Sequence, residues 1–332
     1  MVLSFFRVAV FEMILEAGNQ GLQLPSYKGS TLRGGFGQAF RSIACSMRQK
    51  DCRGCLLKSS CPYAYVFETS PPVGSEVLRN HENIPRPFII EPPLDQRTLY
   101  HPGEQLAFRL ILIGNAIELL PYFIVAFREL GQLGIGKGRR TYELVKVRIL
   151  DPENNKKSLI YEKENPLIQS ANMTIRGDYY EKSLREEFSR HQRGSDSNAS
   201  QRAMVRYLTM TRIKHEDNFS PAIEFHMLVR SLLRRISSLA YFHHKERLDL
   251  NYSAIIEQAA KVRIIDNRTR WVDWERFSSR QDSHVRMGGV VGEMVYEGNI
   301  AAFTPFLRLG ELVHVGKGAV FGMGKFEASP LL

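Results

Sequence analysis

VLSFFRVAVFEMILE, residues 2–16, and STLRGGFGQAFRSIACSMR, residues 30–48, are the two stretches whose reading decides the fold. The first is rich in β-branched and aromatic residues and reads as a strand. It lacks the basic start of a secretory leader, and Arg7, Glu12 and Glu16 interrupt its apolar run. The second reads as a helix with Ser30 or Thr31 at its N-cap. At 100° per residue, Leu32, Phe36, Ala39, Phe40, Ile43, Ala44 and Met47 share one face, with Arg33, Arg41 and Arg48 along its edge.

Working outward, short extended runs follow at Tyr65–Glu68, Phe88–Glu91 and Leu106–Ile113. An apolar helix from about Ala116 to Leu130 and a strand Thr141–Leu150 come next. The polar stretch 151–201 reads as a connection carrying one short helix. Beyond it the order returns: strand Ala203–Ile213, helix Ala222–Phe242, strands Arg270–Phe277 and Met287–Tyr296, helix Ala301–Glu311, strand Ala319–Ala328. Two βαββαβ units in 332 residues predict an α+β chain of two tandem ferredoxin-like, RRM-like domains, 1–150 and 202–332. The apolar run 110–127 is too interrupted by Asn115, Glu118 and Pro121 to cross a bilayer, so a cytoplasmic protein is expected.

Lys and Arg total 45 against 35 Asp and Glu, a net charge of +10, which favours a polyanionic partner. The excess is local: Ser26 to Lys50 carries Lys28, Arg33, Arg41, Arg48 and Lys50 and no acidic residue. Two glycine-rich loops add to it. Gly131-Gln-Leu-Gly-Ile-Gly-Lys137-Gly138 resembles a phosphate-binding P-loop, but it lies between helix and strand and has Gly138 where a hydroxyl must hold magnesium, which excludes nucleotide hydrolysis. A flexible loop remains, with Lys137, Arg139 and Arg140 placed to meet phosphate. In the second, running from His314 to Phe326, Lys317 and Lys325 supply charge, Phe321 an aromatic face, and four glycines close approach, a mixture suited to single-stranded RNA. His226, Arg230 and Arg234 form one line along a helix, read as a solvated or RNA-facing edge.

All four cysteines, Cys45, Cys52, Cys55 and Cys61, fall within seventeen positions, as a Cys-rich insertion at 45–61 of the first domain. In a reducing compartment this clustering points to a structural zinc more than to disulfides, with an iron–sulfur cluster or free thiols as the alternatives. A closed thiolate site leaves no position for catalysis, so no catalytic metal is expected.

The twin halves, Leu32-Arg-Gly-Gly-Phe-Gly, Pro85-Arg-Pro, Gly134-Ile-Gly-Lys-Gly-Arg and the terminal Gly316-Lys-Gly-Ala-Val-Phe-Gly-Met-Gly-Lys together resemble the CRISPR precursor-RNA-processing endoribonucleases of the RAMP superfamily. The resemblance implies metal-independent cleavage within CRISPR repeats: the 2′-hydroxyl attacks the adjacent phosphorus, leaving a 2′,3′-cyclic phosphate and a 5′-hydroxyl. It implies CRISPR repeat RNA as partner, with other CRISPR effector subunits, and a Tyr and a His on the first helix. Tyr27 fits the first position. No histidine occupies the second, so Tyr27, Lys28 and His314 become the catalytic candidates, with His226 next. The alternative is a noncatalytic RAMP subunit that binds guide RNA, and the missing helix histidine favours it.

Overall fold

Strand β1 (Arg7–Ala17) is the centre of the first sheet, pairing antiparallel with β3 (Gln105–Ile113) on one side and β4 (Tyr142–Asp151) on the other. The computed structural model describes residues 3–47, 51–52, 54–69, 71, 84–151, 156–169, 174–177, 179, 201–216, 218–278 and 283–331. With β2 (Phe88–Glu91) and β5 (Lys156–Glu162) the order is β2-β3-β1-β4-β5, a ferredoxin-like sheet extended by one strand. Helices α1 (Gly29–Ala44) and α3 (Leu120–Leu133) supply the two crossovers, and a short helix α2 (Pro62–Phe67) lies between α1 and β2. The second sheet repeats the order as β7-β8-β6-β9, from β6 (Gln201–Thr211), β7 (Arg263–Val272), β8 (Gly289–Gly298) and β9 (Phe326–Leu331). Its helices are α4 (Phe225–His244), α5 (Tyr252–Ala259) and α6 (Thr304–Val313). Both halves are thus ferredoxin-like, and the chain is two such folds in tandem.

The chain divides into one unit of Arg7–Ile175 with Phe242–Lys245, and another of Met1–Phe6, Arg176–Tyr241 and Glu246–Leu332. In the first, Phe36 is the hub: its ring stacks on Phe123 (5.1 Å) and Phe127 (4.7 Å) and meets Phe40 and Phe88 edge-on. This explains the apolar stripe read on α1. Among the described residues no helix is long and apolar enough to cross a membrane.

Three expectations are corrected. Tyr65–Glu68 is not a strand but the end of α2, because Pro62 starts a helical turn and Phe67 packs on Phe36 (5.5 Å) and Phe40 (5.5 Å). The segment expected only to connect the domains supplies β5, paired along β4. Ala319–Phe321 is a 3-10 turn rather than strand, bracketed by Gly318 (φ 85°) and Gly322 (φ 80°) in the left-handed region.

The face of each sheet turned away from its helices carries a row of alternating charge. Across the first sheet, Glu91, Arg109, Glu12 and Arg148 are successive cross-strand partners, and Glu12 bonds Arg148 (3.2 Å) and Lys157 (2.9 Å). Across the second, Arg268, Glu293, Arg206 and Glu327 follow one another, with Arg206 on Glu293 at 2.8 Å. Opposite charges facing one another across strands stabilise the sheets and cancel their field. Exposed cations outside these rows include Lys137, Arg139 and Lys317 in loops and Arg230 and Arg234 on α4.

Candidate nucleic-acid interface

The loop between the second helix and the last ferredoxin strand is built alike in both units. In the first, α3 ends at Gly134 (φ 76°) and Ile135 is buried; Gly136 (φ 69°), Lys137 and Gly138 (φ 79°) follow. In the second, α6 ends at His314 (φ 60°) and Val315 is buried; Gly316 (φ 77°), Lys317 and Gly318 (φ 85°) follow. Each lysine N–H donates to a carbonyl of the chain leaving the unit's first strand: Lys137 to Gln23 O and Lys317 to Arg212 O, both 3.0 Å. A Cβ on Gly136 would stand 2.2 Å from Gln23 O, and one on Gly316 2.4 Å from Arg212 O, so glycine is required at both. The second loop is the longer, holding the Ala319–Phe321 turn where the first closes at once through the Ile135–Arg140 bridge. Lys137, Arg139 and Lys317 are exposed, whereas Arg140 is half-buried and donates to Gln20 O.

Around Lys317 the second unit gathers more cations and rings. Phe219 lies beneath the Arg212 guanidinium (4.4 Å) and the Lys317 ammonium (5.6 Å), with the Trp271 ring 6.4 Å away. Phe219 belongs to a two-residue ladder in which Lys214 faces Phe219 and His215 faces Asn218. The His215 ring is 5.5 Å from that of His226, at 76°, and His226 Nδ1 lies 3.3 Å from the Glu224 carboxylate. Burial holds the His226 pKa below the ordinary imidazole value; Glu224 opposes this, and His215 and Arg230 add to it. Cations over an aromatic face, with a pair of imidazoles carried by the adjoining hairpin and helix, are equipment for gripping a phosphodiester backbone and for moving protons.

Two family models match the sequence, one described as CRISPR-associated endoribonuclease Cas6 over residues 205–326, the other an N-terminal domain, AF_1859_N, over residues 6–173. Residues 205–326 carry a Cas6 endoribonuclease domain, and the chain belongs among the CRISPR-associated RNA-processing proteins. An uncharacterized protein of Archaeoglobus fulgidus is 24% identical over 312 residues, 92% of each chain. A Thermus thermophilus Cas6 shares the fold at TM-score 0.52 and 14% identity, covering 98% of this chain and 99% of its own. The product complex of that Cas6 gives 0.55 at 16%, covering 99% and 100%. A partial Cas6-RT-Cas1–Cas2 complex gives 0.59 at 14%, covering 100% of this chain and 48% of the other.

In this protein the residues expected to be catalytic are held by their surroundings. Lys28 is wholly buried; its ammonium donates to Ser26 O (3.3 Å), Asp95 O (3.2 Å) and Asp95 Oδ1 (3.2 Å). Burial of the Tyr27 hydroxyl, reinforced by the Glu91 carboxylate, pushes its pKa far above the ordinary phenol value. His314 is also wholly buried, with Nδ1 3.0 Å from Met323 O, and it caps α6 in a backbone conformation that favours glycine. Of the arginines read on α1, Arg33 sits over the Phe67 ring (5.3 Å) and Arg41 over Tyr63 (5.4 Å), while Arg48 lies outside the described residues. In the terminal loop Phe321 and Lys325 are half-buried, and the Lys325 N–H donates to Thr209 Oγ1 (2.9 Å). His215 went unread in the sequence; its only signal is a lone histidine in a short polar run, and its nearness to His226 is a tertiary fact.

Cys45 ends α1, Cys61 starts α2, and Cys55 N donates to Cys52 O (3.3 Å) in the turn between them. All four are half-buried free thiols. Burial first, then Glu68 and the Cys45 and Cys61 thiols, raise the Cys52 pKa against the pull of Arg41, so these groups share one neighbourhood. Among the described residues, however, no group of three or more His, Cys, Asp or Glu side chains is arranged to hold a metal, so no metal site is preformed.

Proposed function

We propose that this protein is an endoribonuclease that cuts CRISPR repeat RNA without a catalytic metal, by attack of a 2′-hydroxyl on the adjacent phosphorus. The supporting observation is the Gly316-Lys317-Gly318 loop, fixed by backbone bonds beside Arg212 and Phe219, within the segment that the Cas6 endoribonuclease model matches. In the attack, negative charge grows on the phosphoryl oxygens, and fixed cations lower the barrier by stabilising it. The solved complex of a T. thermophilus Cas6 with product supports RNA as ligand, and the Cas6-RT-Cas1–Cas2 assembly supports other CRISPR proteins as partners. The reaction leaves a 2′,3′-cyclic phosphate and a 5′-hydroxyl. Incubation of the protein with its cognate repeat RNA in EDTA tests the reading: cleavage supports it, and binding without cleavage refutes it.

One observation favours a second reading, a noncatalytic subunit that binds repeat or guide RNA. Lys28 and His314 are engaged inside the fold, and Ser26–Lys50 contains no histidine. Such a protein would bind the same RNA with the same salt dependence and leave it intact.

A further inference from the structure

We infer that His226 and His215 of the second unit are the general base and general acid of the cleavage, an assignment that rests on the endoribonuclease reading. Transphosphorylation needs one group to take the 2′-hydroxyl proton and another to protonate the departing 5′-oxygen, both beside the same phosphate. Two imidazoles with ring centroids 5.5 Å apart satisfy that requirement, and His215 follows Lys214 in the short hairpin whose other strand carries Phe219, the ring beneath Arg212 and Lys317. His226 occupies the second position of α4; His215 sits on the Lys214–His215 ladder strand whose partner strand carries Phe219.

The Glu224 carboxylate fixes the roles. It lies 3.3 Å from His226 Nδ1, so its negative charge favours the tautomer with the proton on Nδ1 and leaves the lone pair on Nε2, the arrangement a general base requires. The groups facing His226 are Glu224, His215 and Arg230, and together with burial they leave its pKa below the ordinary value, which keeps it neutral near pH 7. The step balances. The 2′-oxygen bonds phosphorus as its proton passes to His226 Nε2; the bond from phosphorus to the 5′-oxygen breaks, and that oxygen takes a proton from His215. Exchange with water restores both imidazoles, and no oxidant, reductant or metal enters.

The test is single-turnover cleavage of the cognate repeat RNA by wild type, His226→Gln and His215→Gln, each first checked for an unchanged melting temperature and for repeat binding within a few fold. Each variant is expected to cut about 10²–10⁴-fold more slowly. Wild-type rate should fall as pH drops through the lowered His226 pKa, and His226→Gln should abolish that limb. Glutamine variants that cut as fast as a cutting wild type overturn the inference and leave the endoribonuclease reading standing. A wild type that binds and cuts nothing overturns the endoribonuclease reading itself, and the assignment with it.

Discussion

Replacing Lys317 with alanine removes one charge and little else. The lysine N–H that holds the loop to Arg212 O is backbone and survives, and the positive φ angles belong to the flanking Gly316 and Gly318 rather than to position 317. The lost contact with the Phe219 ring, at 5.6 Å, is an exposed cation–π pair of about 0.5–1 kcal/mol. If the ammonium neutralises one phosphate of a single strand, the plot of log K against log salt loses about 0.7 of its slope. Taking that term to vanish near 1 M, the affinity loss is about fivefold at 0.1 M salt and about 1.6-fold at 0.5 M. Lys137, in the matching position of the first unit, is expected to give the same values, and the double variant about 25-fold at 0.1 M, the product of the two single losses. Titration of labelled repeat RNA at four or five salt concentrations measures both. Weaker binding with an unchanged slope would show that the lysine shapes its loop and touches no phosphate, and the loop's role as a backbone seat would fall.

His314→Ala is expected to act on stability. It opens a buried cavity and strips the hydrogen bond from Met323 O, about 2–4 kcal/mol, read as a melting transition lower by roughly 5–15 °C, with single-turnover cleavage at permissive temperature within a few fold. Glu297 bridges Arg202 and Arg263, which hold its carboxyl below the ordinary value. A depressed folded pKa supplies stability in full above the unfolded value of about 4.3 and loses it as pH falls through the folded one, so Glu297→Gln should flatten the acid limb of melting temperature against pH. The cysteine cluster is proposed to close upon zinc: protein purified without chelator should carry about one per chain, lost with stability in Cys52→Ser/Cys55→Ser, whereas metal-free protein and an undisturbed double variant would show free thiols.

Periodicity made the βαββαβ order legible twice, because one-sided burial imprints it: Phe36 and Phe40 on α1 and the alternation of Leu106, Phe108 and Leu110 on β3 are direct records of what faces the core. The Gly-Lys-Gly loops were legible because only glycine fits beside Gln23 O and Arg212 O. Strand β5 was not, since its Lys156 and Lys157 are exposed and its partner is set by the preceding strand rather than by its own pattern. α2 was missed because a short run of Tyr, Val and Phe suits strand and helix alike until Phe36 and Phe40 decide it. Residue roles failed for a related reason. Lys28 looks like a phosphate ligand until Asp95, 67 positions away, closes on it, and His314 looks poised until Met323 O does the same. Which polar atoms are used up inside a fold is a property of long-range contacts, and local sequence carries little of it.

The central claim is tested most directly by repeat RNA carrying a single 2′-deoxy sugar immediately upstream of the scission site, compared with the all-ribose strand, in EDTA under single-turnover conditions. Attack by the 2′-hydroxyl predicts equal binding of both strands, cleavage of the ribose strand to a 2′,3′-cyclic phosphate and a 5′-hydroxyl, and full protection of the deoxy strand. Cleavage of the deoxy strand would contradict the mechanism, and tight binding with neither strand cut would contradict the enzyme.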